Sequence, residues 1–307
     1  MAIVVIENIQ NENAHFYKEF TFKQYEKFLL DEPGDTPIVK IGARVDGVPA
    51  GLALAKEDTS TGNIWNILSF FVLENFRKKG AGAALLSKLK EILLDKKCEF
   101  TTFKVITSMD NIKSLESLFV KHGFAPFRIC TNIYKCSIIK MREKSPFSKR
   151  VFSGKLKFNK NVKILLKNQV DTNLIEKIKA REDNDYPESL SPFKNEFDLK
   201  EAFHFFAITE NDGIIGWGTT FEAPGNLILY RSFFVKKEYR PIGVGYNIFN
   251  ACFKYQCEHY PGWDFIFAVA VDNKRTEKLL GLYLGDSFDW FKHECETSLT
   301  LKNKIKY

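Results

Sequence analysis

Residues 69–89, SFFVLENFRKKGAGAALLSKL, decide how the chain is read. An apolar run, SFFVL, gives way to a basic turn at Arg77, Lys78 and Lys79, and a helical apolar pattern then opens on Gly80 and Gly82. A helix start leaves backbone N–H groups without intrahelical partners, and the aligned peptide dipoles place partial positive charge there. Glycine removes the Cβ that would keep an anion from those N–H groups. The pattern predicts a buried strand, a sharp turn and a helix whose first turn seats a pyrophosphate.

The stretch has an echo. Residues 232–245, SFFVKKEYRPIGVG, repeat 69–82, SFFVLENFRKKGAG, at an offset of 163. Each copy is followed by an amphipathic helix, an apolar strand, and a helix opening at an Asn, Asn111 or Asn273. So long a period predicts a duplicated domain, since solenoid repeats run to roughly 20–50 residues. Val72, Arg77-x-x-Gly80-x-Gly82, an apolar helix, a strand, Asn111 and Gly123-Phe124 form a string that resembles the acetyl-CoA-binding core of the GNAT family of acyltransferases. Because both halves carry it, the chain resembles a tandem GNAT.

That resemblance implies an α/β fold of two GNAT-like domains, each a mixed central sheet flanked by helices. The N-terminal domain would span 1–140, a basic linker 141–160, and the C-terminal domain 161–307. It also implies an N-acyltransferase that moves an acetyl group from acetyl-CoA to the amine of a small molecule or protein. Acetyl-CoA or CoA would be held in the first copy by Phe71, Val72, Arg77, Lys78, Lys79, Gly80, Ala81, Gly82, Ala83 and Asn111. In the second copy Phe234, Val235, Arg240, Ile242, Gly243, Val244, Gly245 and Asn273 would do so. The thioester would lie against Phe71-Val72 or Phe234-Val235, where backbone donors polarise its carbonyl. Lys78-Lys79 and the small Ala81, Ala83 and Ala84 make the first copy the better phosphate seat; Pro241, Ile242 and Tyr246 make the second bulkier and less basic.

The proton chemistry is less complete. The family often places a Tyr, as acid for the departing thiolate, four residues before the Gly that closes the helix after the Asn. Counting back from Gly123 and Gly285 gives Phe119 and Gly281, neither with a hydroxyl. Tyr283 is a candidate acid, though two residues along a helix turn it by roughly 200°. The base stays open between Glu74, Glu57, Glu222 and an ordered water. Two other readings follow: a non-catalytic acyl-CoA sensor or scaffold with one or both repeats degenerate, and a protein that grips an acidic partner through its linker.

Composition narrows the class. The 307 residues, 45% hydrophobic and 27% charged, suit two soluble domains. No apolar run approaches the roughly 20 residues of a membrane span, and the opening MAIVVIENIQ lacks the basic start of a signal peptide. The net charge of +7 is concentrated in 140–160, where eight basic residues face Glu143 alone, while the rest of the chain balances. A basic stripe without a reading module argues against nucleic acid. The six cysteines form no C-x-x-C pair and no metal-ligand spacing, so they are expected to be reduced thiols of a cytoplasmic protein without a metal. Locally, Asp46-Gly47 and Asn211-Asp212-Gly213 predict hairpin turns. Residues 15–30 carry helical aromatic spacing, 124–139 suit one or two strands, and 265–271 suit a strand covered on both faces. The polar loop 181–193, with Glu182, Asp183, Asp185 and Glu188, would attract a cationic amine.

Overall fold

The computed structural model describes residues 2–30, 36–60, 62–145, 148–149, 161–180, 186–195, 198–285 and 287–301, with backbone alone at 282, 283 and 290. Most of 146–160, and with it Glu182, Asp183 and Asp185 of the polar loop, lies outside the described residues. Chain contacts divide the molecule into two compact units, one of Met1–Cys130 with His293–Tyr307 and one of Thr131–Lys292.

The first unit runs β1 (Val4–Asn8), α1 (Asn11–Ala14), α2 (Glu26–Leu30), β2 (Ile38–Val45), β3 (Val48–Glu57), β4 (Ile64–Val72), α3 (Ala81–Asp95), β5 (Phe100–Thr107) and α4 (Met109–Lys121). Strands β1 to β4 pair antiparallel in sequence order, and β4 then pairs parallel with β5. Asp46 and Gly47, both at positive φ, close the β2–β3 hairpin with the twist that flanking strands require. Leu85, Leu86, Leu89 and Leu93 of α3 and Phe119 of α4 bury against one face of the sheet. Tyr17, Phe20 and Leu29 bury against Leu52 and Phe71 on the other. Residues 15–30 are not one helix: two 3₁₀ turns, His15–Phe20 and Lys23–Tyr25, precede the short α2. Such turns carry Tyr17 inward, where its hydroxyl donates to Glu7.

The second unit repeats this plan with β6 (Arg128–Cys136), α5 (Ile138–Lys144), β7 (Lys163–Leu166), α6 (Thr172–Ala180), β8 (Glu201–Thr209), β9 (Gly213–Ala223), β10 (Leu227–Val235), α7 (Val244–His259), β11 (Asp264–Ala270) and α8 (Lys274–Leu284). Strands β7 to β10 pair antiparallel, and β10 pairs parallel with β11. A further strand, β12 (Phe288–Thr300), follows. The repeated sequence and the compact unit are not coextensive. Thr131 to Cys136 of β6 pair with β11 of the second unit, whereas His293 to Thr300 of β12 pair with β5 of the first. The start of the segment read as a linker is helical, since α5 reaches Lys144. β11 is covered on one face only, because Phe265, Phe267 and Val269 are buried while Ala268 and Ala270 are exposed. Alanine satisfies apolar continuity without demanding cover.

One irregularity recurs. In β4 the partners step from Ile67 to Ser69, leaving Leu68 as an extra residue; in β10 they step from Tyr230 to Ser232, leaving Arg231. These bulges stand at the same offset of 163. Their trace is a slipped alternation: Trp65, Ile67, then Phe70 and Val72 face α3, and Ile228, Tyr230, then Phe233 and Val235 face α7. Close approach is arranged twice as well. A Cβ at Gly51 would stand 2.7 Å from the Phe71 carbonyl oxygen and 3.1 Å from Leu85; at Gly216, 2.6 Å from that of Phe234 and 3.2 Å from Ile248. In each case the nearest obstacle is backbone of the neighbouring strand, β4 or β10. Gly51→Ala and Gly216→Ala should therefore each lower stability by about 1–3 kcal/mol, read from urea unfolding. Unchanged midpoints would refute the close approach.

Candidate functional site

Past its bulge, β4 loses one neighbour. Parallel pairing of β4 with β5 covers only Ile64–Phe100 to Ile67–Phe103, and that of β10 with β11 only Leu227–Asp264 to Tyr230–Phe267. Residues 69–72 and 232–235 stay bonded to the antiparallel side alone, Phe71 to Leu52 and Phe234 to Trp217. Each unit thus has a strand end with one unpaired edge leading straight into the Gly-rich helix start, where an extended ligand can be held by backbone groups.

The turns that follow share one device. Arg77 Nε donates to the Val72 carbonyl at 3.1 Å, and Arg240 Nε to the Val235 carbonyl at 2.8 Å. The arginine therefore braces the turn with its side chain, and its backbone N–H is also taken within the turn, Arg77 by Glu74 O at 3.1 Å and Arg240 by Lys237 O at 3.3 Å. Gly80 and Gly243 cap α3 and α7 in left-handed conformations, φ 92° and 80°. The first intrahelical bond of α3 runs from Ala84 N–H to Gly80 O, so the N–H groups of Gly80, Ala81, Gly82 and Ala83 precede the ladder. Here the copies diverge. Lys78 takes φ 60°, while its counterpart is Pro241, whose ring fixes φ near −65° and which has no N–H. Arg240 is helical although a following proline disfavours that region, and Gly243 N–H is occupied by Arg240 O at 3.3 Å. The first unit presents a wider row of N–H donors. Gly82 and Gly245 both back onto the strand, toward Val72 and Val235, and Gly82 also meets Leu118.

Other titratable groups are turned to structural work. Burial pushes the Cys98, Cys257 and Cys295 thiols up to about 11, and raises Cys136 and Cys252 further. All six cysteines are free, and none has the depressed pKa of a nucleophile. Among the described residues no group of His, Cys, Asp and Glu is placed to hold a metal, and no helix is long and apolar enough to cross a membrane. Glu222 pairs with Lys200 at 2.8 Å, and Glu74 is exposed in the turn. Glu57 lies opposite Trp65 on the α3 side and acts electrostatically on Cys98.

Residues 4–124 match the model of the acetyltransferase (GNAT) family. A tandem GNAT protein from the clavulanic acid biosynthesis pathway superposes with a TM-score of 0.66 at 14% identity, covering 99% of both chains. The chain is a tandem GNAT-fold protein. A GCN5-related N-acetyltransferase from Sphaerobacter thermophilus gives 0.55 at 12% identity over 97% of this chain and 96% of that one. The GCN5-related glucosamine N-acetyltransferase region of a fungal multi-domain GH3 β-N-acetylglucosaminidase gives 0.57 at 11% identity, over 97% of this chain and 38% of that one. No curated protein matches the sequence.

Within this tandem GNAT fold, the place of the family's tyrosine is closed in the first unit. Phe119 is fully buried and packs on Phe70, Phe103 and Phe124 at centroid separations of 5.1, 5.1 and 4.9 Å. Tyr283 falls within α8, and its side chain lies outside the described residues. Asn111 sits exposed inside the first turn of α4, which Ser108 precedes as N-cap, whereas Asn273 caps α8 by accepting from Thr276 N–H at 3.2 Å. The sequence reading missed His204 of β8. It is 3% exposed, its Nδ1 accepts from Thr220 N–H at 3.3 Å, and burial holds its pKa down at about 4, against the raising effect of Glu201. A base kept neutral by folding contributes stability that is present above the unfolded pKa near 6.5 and is lost as pH falls toward 4. The loss is on the order of 3 kcal/mol by linkage. Urea unfolding between pH 7 and 4 should show this slope, and His204→Asn should flatten it; an equal slope in both proteins would exclude the histidine as its source.

Proposed function

We propose that the protein is an acetyl-CoA-dependent N-acetyltransferase whose cofactor is held by the first unit. The supporting observation is the turn Arg77–Gly80, with left-handed Lys78 and Gly80 at the end of a strand that has parted from its parallel neighbour. Backbone N–H groups of residues 78–83 would take the pyrophosphate, with Lys78 and Lys79 adding charge. The unpaired edge of Ser69–Val72 would bond the pantetheine arm and polarise the acyl carbonyl, with Phe71 and Val72 in contact. Pro241 denies the second unit the same turn, so Arg240, Ile242, Val244 and Gly245 are read as a braced structural copy.

When bound, acetyl-CoA would supply an acetyl thioester, whose carbon gains a bond to the amine nitrogen as the bond to sulfur breaks. In this reading the ammonium proton leaves to an ordered water, because within the first unit Glu57 lies on the α3 side of the sheet and Glu74 is exposed in the turn. The thiolate takes its proton from water too, since Phe119 has none to give. Positioning against the strand edge then carries much of the rate. The buried ring of Phe119 also favours a second reading, an acyl-CoA sensor that binds without transfer.

CoA should raise the melting temperature of the wild-type protein by several degrees at saturating concentration. Lys78→Glu with Lys79→Glu should weaken CoA at least tenfold in calorimetry, while Lys236→Glu with Lys237→Glu should change it less than twofold. An unaffected melting temperature, or equal losses in both pairs, would defeat the assignment. Release of CoA thiol from acetyl-CoA when amines are added separates the enzyme from the sensor.

A further inference from the structure

Beside the bulge of β4, on the face away from α3, lies a cavity of about 280 Å³ bordered by Phe28, Lys56, Asp58, Thr59, Asn66 and Leu68. Leu68 is the bulged residue itself, so the cavity adjoins the strand edge on which the acyl group would rest. We propose that this cavity selects an acceptor amine that also carries an anionic group, a carboxylate or a phosphate. The proposal deepens the function above and rests on it for the position of the acyl group.

The cavity wall is rich in donors that lack acceptors. Lys56 Nζ lies 4.8 Å from the centroid of the Phe28 ring and makes no ion pair among the described residues. Lys27 Nζ lies 5.1 Å from the same ring, a second positive charge at the rim. Asn66 Oδ1 accepts from Thr102 Oγ1 at 2.7 Å, which leaves its two amide N–H groups to donate into the cavity. Two acidic residues border the cavity as well, and the nearer charge, Asp58, is held ionised by Ser60 and by the charge of Lys56. Asp58 accepts from the backbone N–H of Ser60 at 3.1 Å and from its hydroxyl at 2.6 Å. Glu57 touches the cavity border, but it pairs across the strands with Trp65 and faces the α3 side.

An ammonium set between Asn66 and Phe28 would meet the charge of Lys56. A carboxylate or phosphate would accept from Lys56 and Asn66 together, and charge-assisted bonds of this kind are about twice as strong as neutral ones. The ring of Phe28 fixes the lysine stem through a cation–π contact and walls the apolar part of the ligand. The volume of about 280 Å³ falls just below the roughly 300–1,000 Å³ of drug-sized ligand pockets, which suits an amino-acid-sized molecule.

The test uses the full chain saturated with CoA and three amines of similar length: β-alanine, O-phosphoethanolamine and propylamine. Binding is followed by ligand-observed NMR titration, and transfer by release of CoA thiol from acetyl-CoA. At least one anionic amine should bind tenfold or more tightly than propylamine, and the better of the two identifies carboxylate or phosphate. Lys56→Met should erase that preference and leave CoA affinity unchanged, while Lys56→Arg should retain it. Equal binding of propylamine, or a preference that survives Lys56→Met, would overturn the proposal. A wild-type protein that binds no CoA sinks the acyltransferase reading by itself, and the amine preference is still decided by titration.

Discussion

One extra residue in a strand governs both units. A β-bulge displaces the ladder by a single position, and because side chains alternate with a period of two, every residue beyond it changes face. In β4 and β10 this slip keeps Phe70 and Val72, or Phe233 and Val235, on the helix-covered side. It also ends pairing with the parallel neighbour after four residue pairs. A continuous parallel ladder would leave no strand edge for a ligand.

What the two copies share, and where they part, separates scaffold from site. The arginine brace to the strand carbonyl and the glycine that admits that strand's carbonyl oxygen occur in both units with nearly the same distances. These are requirements of the fold, and they hold whether or not a ligand is seated. Lys78 and Pro241 are the point of departure. A left-handed residue and a proline cannot interchange without redrawing the turn. Duplication thus preserved the packing rules in both halves, while the backbone shape that suits an anion is found in one.

Much of this is legible in the sequence, for identifiable reasons. The duplicated SFFV…R…G.G string marked the strand, the turn and the helix start, because glycine and the apolar periods act locally. The hairpin turn at Asp46-Gly47 emerges where its sequence predicts it. The slip at Leu68 is hidden in the sequence, because residues 64–72, IWNILSFFV, are apolar at both phases. Three other features were not legible. Residues 15–30 have the spacing of a helix, yet Tyr17 must reach Glu7, and that distant bond selects 3₁₀ turns. Phe119 reads as a missing hydroxyl, while its packing among four other phenylalanines is a tertiary fact. Lys56, Asn66 and Phe28 are scattered in sequence and meet only through the sheet.

The exchange of terminal strands bears on how the chain can be made. β5 of the first unit takes its outer partner from His293 to Thr300. A ribosome that has finished β5 must therefore add nearly two hundred residues before that partner exists, roughly 10–40 s at ordinary elongation rates. During this interval Phe103, Phe119 and Phe124 have no Leu299 to complete their cluster, and the edge of β5 is open to any other strand. The second unit has its own β6 in hand before β11 appears, so it can close first. Synthesis runs from the N-terminus, but the half that carries the proposed cofactor seat is the later one to become whole. Its maturation thereby waits on late synthesis: a chain cut short anywhere before β12 would hold every residue of the proposed cofactor seat and still lack the strand that pairs with β5.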